Sequence, residues 1–231
     1  MTARYAIYYS PEQHSLWWEF GAHWLGRDEC ADAPLVQCLP TQFEPAELCA
    51  VTSEPRRYGF HATLKAPFRL SGGHTVDDLM VRMQALAATL KPVALGPLHA
   101  VTLGDFVALT PATAPDELAA LAAACVTGLD DLRAPLSQAD LTRRRATQLD
   151  EREQELLQLY GYPYVLERFR FHLTLSGPVQ PAIAQRVMQA VAEPVAQLNL
   201  AAPLVLDRLC LFVEPAPGQP FKRIADMEMP S

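Results

Sequence analysis

Long apolar runs are absent from this chain. No stretch of about eighteen apolar residues occurs, so a membrane-spanning helix is not expected. The first residues, Met1 to Tyr9, carry no apolar segment of signal-peptide length, and a cytoplasmic protein is the expectation. Cysteine is sparse: there are five, and no two stand at C-x-x-C spacing. An odd, scattered set argues against a zinc site or a disulfide framework and for reduced, mostly buried thiols. Excess positive charge is missing too. The formal net charge is -7, which weighs against general nucleic-acid binding, a task that needs many Lys and Arg contacts to phosphate. A small phosphorylated substrate fits an acidic chain better. Nor is the chain poor in hydrophobic residues, at 50% of 231, so a folded core is expected in place of disorder.

Alternation of aromatic and apolar residues predicts a strand over Tyr5–Tyr9, ended by Ser10-Pro11. A helix is predicted over 12–25, capped near Ser10, with Leu16, Trp17, Phe20 and Trp24 on its apolar side. Residues 26–57 read as irregular, with a short helix near Pro45–Val51. Further helices are expected at 75–90 (Thr75 and Asp78 forming a capping box), 115–132, 137–160 and 181–198. The 137–160 helix is highly charged; its Arg143-Arg144-Arg145 run reads mainly as a solvated face paired with neighbours such as Asp140. Strands are expected at 58–68, at 93–110 with breaks near Gly96 and Gly104, at 169–175, at 204–213 and at 221–227. Short strand-to-strand connections favour antiparallel pairing, giving an α+β class with helices packed on antiparallel sheets.

One internal echo stands out. Phe60-His61-Ala62-Thr63-Leu64-Lys65-Ala66-Pro67 matches Phe171-His172-Leu173-Thr174-Leu175-Ser176-Gly177-Pro178 in the pattern F-H-x-T-L-x-x-P, nearly half a chain apart. With six histidines in this composition, two H-x-T-L segments arise by accident on the order of once in a thousand chains. In a strand, residues i and i+2 share a face. Each copy therefore offers one imidazole and one hydroxyl, His61 with Thr63 and His172 with Thr174, from an anchored strand. If a pseudo-twofold axis brings the pairs together, one neutral imidazole can take a proton while the other, protonated, gives one. Two threonine hydroxyls can donate to the non-bridging oxygens of a phosphodiester. This chemistry asks for no metal and no cofactor.

The same strand logic puts Lys65 beside Thr63, and Arg170 beside His172, as candidate substrate contacts. Arg56 and Arg57 precede the first motif and are candidates for its mouth. Tyr5 and Tyr58 fit either stacking on a ribose or base or packing in the core. His14, His23, His74 and His99 lack a repeat and read as structural, as Trp17 and Trp24 read as core.

Two H-x-T motifs, one per half of a chain this long, resemble the 2H phosphoesterase superfamily, which includes bacterial RNA 2′,3′-cyclic phosphodiesterase/ligase-like proteins and plant cyclic nucleotide phosphodiesterases. The resemblance implies a single bilobal domain over residues 1–231, each lobe an antiparallel sheet with outer helices, around a central cleft. It implies His61 and His172 as the acid/base pair and Thr63 and Thr174 as phosphate ligands. Arg4-Tyr5-Ala6-Ile7-Tyr8, Tyr58 to Phe68, and Phe169 to Gly177 are similar to the branch found with phosphonate-metabolism (carbon–phosphorus lyase) operons. That branch implies a metal-independent hydrolase of a small ribosyl cyclic phosphate, working with other phosphonate-pathway proteins. RNA-end processing and a non-catalytic phosphate-ester binder are the alternatives.

Overall fold

Strand β1 (Arg4–Tyr9) is the spine of a four-stranded antiparallel sheet in a computed structural model that describes residues 3–138, 140 and 148–230. It pairs on one side with β4 (Ala62–Phe68) and on the other with β10 (Arg208–Glu214), which pairs in turn with β11 (Lys222–Glu228). Alternation sorts the side chains of β1 onto two faces. Ile7 and Tyr9 enter the main core, while Ala6 and Tyr8 join a second cluster with Cys210, Phe212 and Phe221. Both faces are covered from Ala6 to Tyr9, so the strand carries only apolar and aromatic side chains after Arg4.

The second sheet holds β6 (Leu98–Leu103), β7 (Phe106–Pro111) and the two-residue β8 (Leu173–Thr174), again antiparallel. Helices α4 (Val76–Ala87) and α5 (Asp116–Gly128) pack on the first sheet, and α7 (Pro181–Ala201) packs on the second. A short ladder of β5 (Val93–Ala94) with β9 (Val205–Leu206) links the chain between the sheets. The mixed architecture with antiparallel sheets is the one the short connections require. No helix among the described residues is long and apolar enough to cross a membrane.

Helix α1 (Leu16–Leu25) is shorter than its periodicity predicts. Ser15, not Ser10, caps it by accepting from Trp18 N, and Gly26 closes it in the left-handed region. The Ser10 hydroxyl is buried and donates to the Phe60 carbonyl instead. Hairpin β2–β3 (Arg27–Asp28 with Ala33–Pro34) and helices α2 (Pro45–Val51) and α3 (Ser53–Arg56) then lead to β4. The Thr75–Asp78 capping box forms as predicted.

Three expectations are corrected. The helix predicted over 137–160 is not continuous: residues 148–150 are non-helical, and Asp150 caps a separate α6 (Glu151–Tyr160) because its carboxylate accepts from Glu153 N. Asp140 pairs with Arg69 at 2.8 Å; Arg143, Arg144 and Arg145 lie outside the described residues. The strand predicted over 169–175 shrinks to β8, because only Leu173 and Thr174 find ladder partners on β7. The cysteines are also less hidden than expected, with Cys125 and Cys210 buried but Cys38 and Cys49 exposed.

Helix α1 sits between the two motif segments and touches both. Phe60 lies flat against the helix backbone at Gly21, where an added Cβ would fall 2.0 Å from the ring. The Trp24 indole donates to the Leu175 carbonyl at 2.8 Å, and that of Trp17 to the Ala202 carbonyl at 2.7 Å. In an ordinary helix Gly→Ala stabilises by about 1 kcal/mol. Here Gly21→Ala is expected to destabilise by about 1–3 kcal/mol, because fully buried Phe60 has no room to retreat. Urea unfolding reads the sign directly; a stabilised variant would contradict the packing.

Candidate active site

A cavity of about 680 Å³ opens where the two sheets meet. His61 and Thr63 of the first motif line it, as does Thr174 of the second. His172 stands beside Phe106, which also lines the cavity, with ring centroids 5.7 Å apart. Thr63 and Thr174 thus stand on β4 and β8, in different sheets, with each histidine one residue before its strand; three of the four line one space and His172 flanks it through Phe106.

The two histidines are held alike. His61 Nδ1 lies 2.9 Å from the Gly59 carbonyl, and His172 Nδ1 lies 2.8 Å from the Arg170 carbonyl. In each case the partner is the carbonyl two residues upstream. A carbonyl only accepts, so each Nδ1 carries the proton and each neutral ring presents an Nε2 lone pair as an acceptor. Thr63 Oγ1 is 3.5 Å from His61 Nε2. The His61 ring stacks on Tyr8, centroids 4.0 Å apart, and Tyr58 flanks it at 5.8 Å. Burial pushes the His61 pKa down to about 4, and the nearby His172 adds to the shift; burial also lowers His172. Both rings are therefore neutral near pH 7 with the cavity free of anions.

Positive charge comes from Arg57, a predicted candidate for the mouth of the first motif, and from Arg4, which the strand logic does not single out as a ligand. Arg4, from the start of β1, and Arg57, after α3, both line the cavity and share the carboxylate of Glu214. Burial alone would raise the Glu214 carboxyl, but the Arg4 hydrogen bond and both guanidinium charges hold it below its ordinary value. Glu54 lines the same cavity, so the two guanidiniums face the Glu214 and Glu54 carboxylates beside the imidazoles. Tyr162, Tyr8 and Phe106 add aromatic walls, and Tyr58, stacked on Phe221 at 5.0 Å, lines the cavity as well. A basic residue opening an aromatic strand was the one available signal for Arg4; nothing local in sequence marks Tyr162.

Three predicted contacts go elsewhere. Lys65 is buried, and its ammonium donates to the Val126 carbonyl at 2.8 Å and to Asp130 at 2.9 Å. The cause is a β-bulge: Tyr8 pairs with Thr63 but Ile7 pairs with Lys65, so one extra residue turns Lys65 to the core face of Ile7. Its counterpart Ser176 borders the cavity, yet its hydroxyl is taken up by Val107 N and the Gly177 carbonyl. Arg56 reaches back over the end of α1, donating to the Leu25 carbonyl and to Thr52 and Gln37, because a helix C-terminus leaves carbonyls in need of donors. Arg170 is exposed, outside any strand, and does not line the cavity; its backbone carbonyl, not its guanidinium, serves the site. Tyr5 packs against the main core.

The profile of the family described as "Protein of unknown function (DUF1045)" matches residues 63–222, more than half of the chain. The chain belongs to this family. The match takes in Thr63, His172 and Thr174 and begins just after His61. Among curated proteins the chain is similar to a ribose 1,5-bisphosphate phosphokinase PhnN of Janthinobacterium sp. (strain Marseille), 39% identical over 221 residues, covering 94% of this chain and 49% of the relative. It is also similar to the protein of that name from Laribacter hongkongensis (strain HLHK9), 36% identical over 219 residues, covering 95% and 50%. The chain spans about half the length of these relatives.

The depressed His61 pKa makes stability depend on pH. The unfolded chain binds this proton near pH 6.5, the folded one only near pH 4. Stability from the neutral ring is thus fully present above about pH 6.5 and is lost as pH falls towards 4. For a partly exposed ring the expected loss is about 1–3 kcal/mol. His61→Gln should flatten the fall of the urea midpoint between pH 7 and pH 4.5; an unchanged slope would refute the assignment.

Proposed function

We propose that this chain is a metal-independent cyclic phosphodiesterase acting on a small ribosyl cyclic phosphate. One observation carries the reading: two imidazoles, each just upstream of a motif strand and each with Nδ1 tied to its own chain, present an accepting Nε2, His61 on the lining of a cavity bordered by both motif threonines and His172 beside its Phe106 wall. A mere phosphate binder has no need of two such bases.

The proposed reaction follows from these groups. One neutral imidazole takes a proton from water through Nε2 as the water oxygen bonds to phosphorus. One bridging P–O bond breaks, and the departing sugar oxygen takes a proton from the other imidazole. The anionic ester raises the pKa of both rings when it binds, which lets one of them carry that proton near neutral pH. Thr63 and Thr174 donate to the non-bridging oxygens, and Arg4 and Arg57 hold the anion in place. The two-sheet arrangement, one H-x-T segment per sheet, is compatible with the bilobal fold of the 2H phosphoesterases, the superfamily we infer for it.

The relatives' name supports the choice of sugar. Opening a ribosyl cyclic phosphate yields a ribose phosphate monoester, the class of compound those proteins are named for phosphorylating. We place the relatives' kinase step outside the matched half: this sequence has no Gly-x-x-x-x-Gly-Lys-Ser/Thr loop for a nucleoside triphosphate, and about half of each relative lies beyond the match. A place in phosphonate catabolism, in the cytoplasm and alongside other proteins of that pathway, follows from the operon branch the motifs resemble.

His61→Ala and His172→Ala are each expected to lower kcat about 10²–10⁴-fold with the fold intact. Wild-type turnover in either variant would remove the mechanism. Activity should survive exhaustive chelation, and a strict metal requirement would contradict it. Ribose 1,2-cyclic phosphate should be preferred to nucleoside 2′,3′-cyclic phosphates; the reverse preference would move the protein to RNA-end metabolism.

A further inference from the structure

Behind the His61 loop lies a buried carboxylate that the proposed reaction does not use. Glu29 sits in the turn of the β2–β3 hairpin, which Asp28 shapes by accepting from Cys30 N and Ala31 N. Its side chain is fully buried. Oε1 accepts from the Trp18 indole at 2.8 Å and lies 3.3 Å from the Ser10 hydroxyl, whose one proton it shares with the nearer Phe60 carbonyl, while Oε2 has no hydrogen-bond partner among the described residues. A half-satisfied buried carboxylate costs stability and needs a reason to be there. Arg223 approaches only to 3.8 Å, its guanidinium being engaged by Asp226, Ser10 and the Pro11 carbonyl.

The reason is in what Glu29 touches. Gly59 adopts a φ of +80°, and a Cβ there would fall 2.7 Å from the Glu29 Cβ, so the Glu29 stem is the floor under Gly59. The Gly59 carbonyl is the one that fixes the His61 ring. Ser10, held by Glu29, donates at 3.0 Å to the carbonyl of Phe60, the next residue. The same hairpin grips the chain just upstream: buried Arg27 donates to the carbonyls of Arg56 and Arg57 at 3.2 and 3.0 Å. The carbonyls of four of the five residues from Arg56 to Phe60 are thus pinned or used. The second motif is served differently, since its fixing carbonyl belongs to exposed Arg170.

We infer that Glu29 is a positioning residue for His61, acting through Ser10 and the floor it makes under Gly59 to hold the carbonyl that sets the ring's tautomer and direction. This deepens the reading of His61 as an acid–base group and rests on it. Two readouts separate positioning from mere stability. The first is the tautomer of His61 by nitrogen NMR in the intact, folded chain: the Nδ1–H form alone in the wild type, a mixture of both in Glu29→Ala. The second is turnover of ribose 1,2-cyclic phosphate: Glu29→Ala should lower kcat about 10–100-fold with KM within about threefold, and Glu29→Gln, which keeps an acceptor for Trp18 and Ser10, should restore both readouts. If Glu29→Ala does not fold, Ser10→Ala removes the link to Phe60 at smaller cost and should show the same tautomer mixing. A folded Glu29→Ala or Ser10→Ala chain with the wild-type tautomer overturns the inference. Tautomer mixing in a chain that turns over no cyclic phosphate upholds the positioning role while sinking the functional reading.

Discussion

The arrangement of the site depends on one helix that touches both motif segments. Helix α1 lets Phe60 lie on its backbone at Gly21, and its Trp24 indole takes the carbonyl next to Thr174. Phe60 precedes His61, and Leu175 follows Thr174, so the helix sets the distance between the two motifs. An indole N–H buried without a partner would cost free energy, and so each tryptophan of α1 is bonded: Trp17 to Ala202, Trp18 to Glu29 and Trp24 to Leu175. Apolar packing makes this contact strong, and three directional hydrogen bonds make it specific.

Electrostatics then set what the cavity accepts. The chain is acidic overall, yet its cavity holds Arg4 and Arg57, which share the carboxylate of Glu214, with Glu54 also on the lining. Beside them are two imidazoles whose burial keeps them neutral until an anion arrives. In the proposed reaction, substrate binding and protonation of the acid are coupled: the ligand's charge supplies what burial removes. The coupling makes the free chain a poor proton donor at neutral pH and the complex a better one.

Much of the site was legible in sequence because it rests on a two-residue period. His61 with Thr63 and His172 with Thr174 could be paired from spacing alone, and their neighbours Phe60, Leu64, Leu173 and Leu175 could be assigned to the core. The same rule failed one step further on. A bulge between Thr63 and Lys65 is invisible to alternation, and it turned Lys65 from the cleft into a buried pair with Asp130. Arg56 was lost to a helix end whose carbonyls compete for donors. Tyr8 and Tyr162 could not be found locally, and Arg4 carried only its place at the head of an aromatic strand, since they meet the motifs only after β1 inserts between β4 and β10 and after the chain returns past α6. Glu29 was hidden for a related reason: its partners Ser10 and Gly59 approach it from separate segments.

The central claim is that the two histidines divide one proton transfer between them. The pH dependence of kcat/KM, measured on ribose 1,2-cyclic phosphate for the wild type and for each single histidine variant, tests it most directly, because this ratio reports groups of the free protein. The account predicts a bell centred below pH 6.5, where burial has moved both rings. Each variant should lose one limb, the acid limb in one and the alkaline limb in the other. Two variants that keep the whole bell, or that lose the same limb, would contradict a paired acid and base.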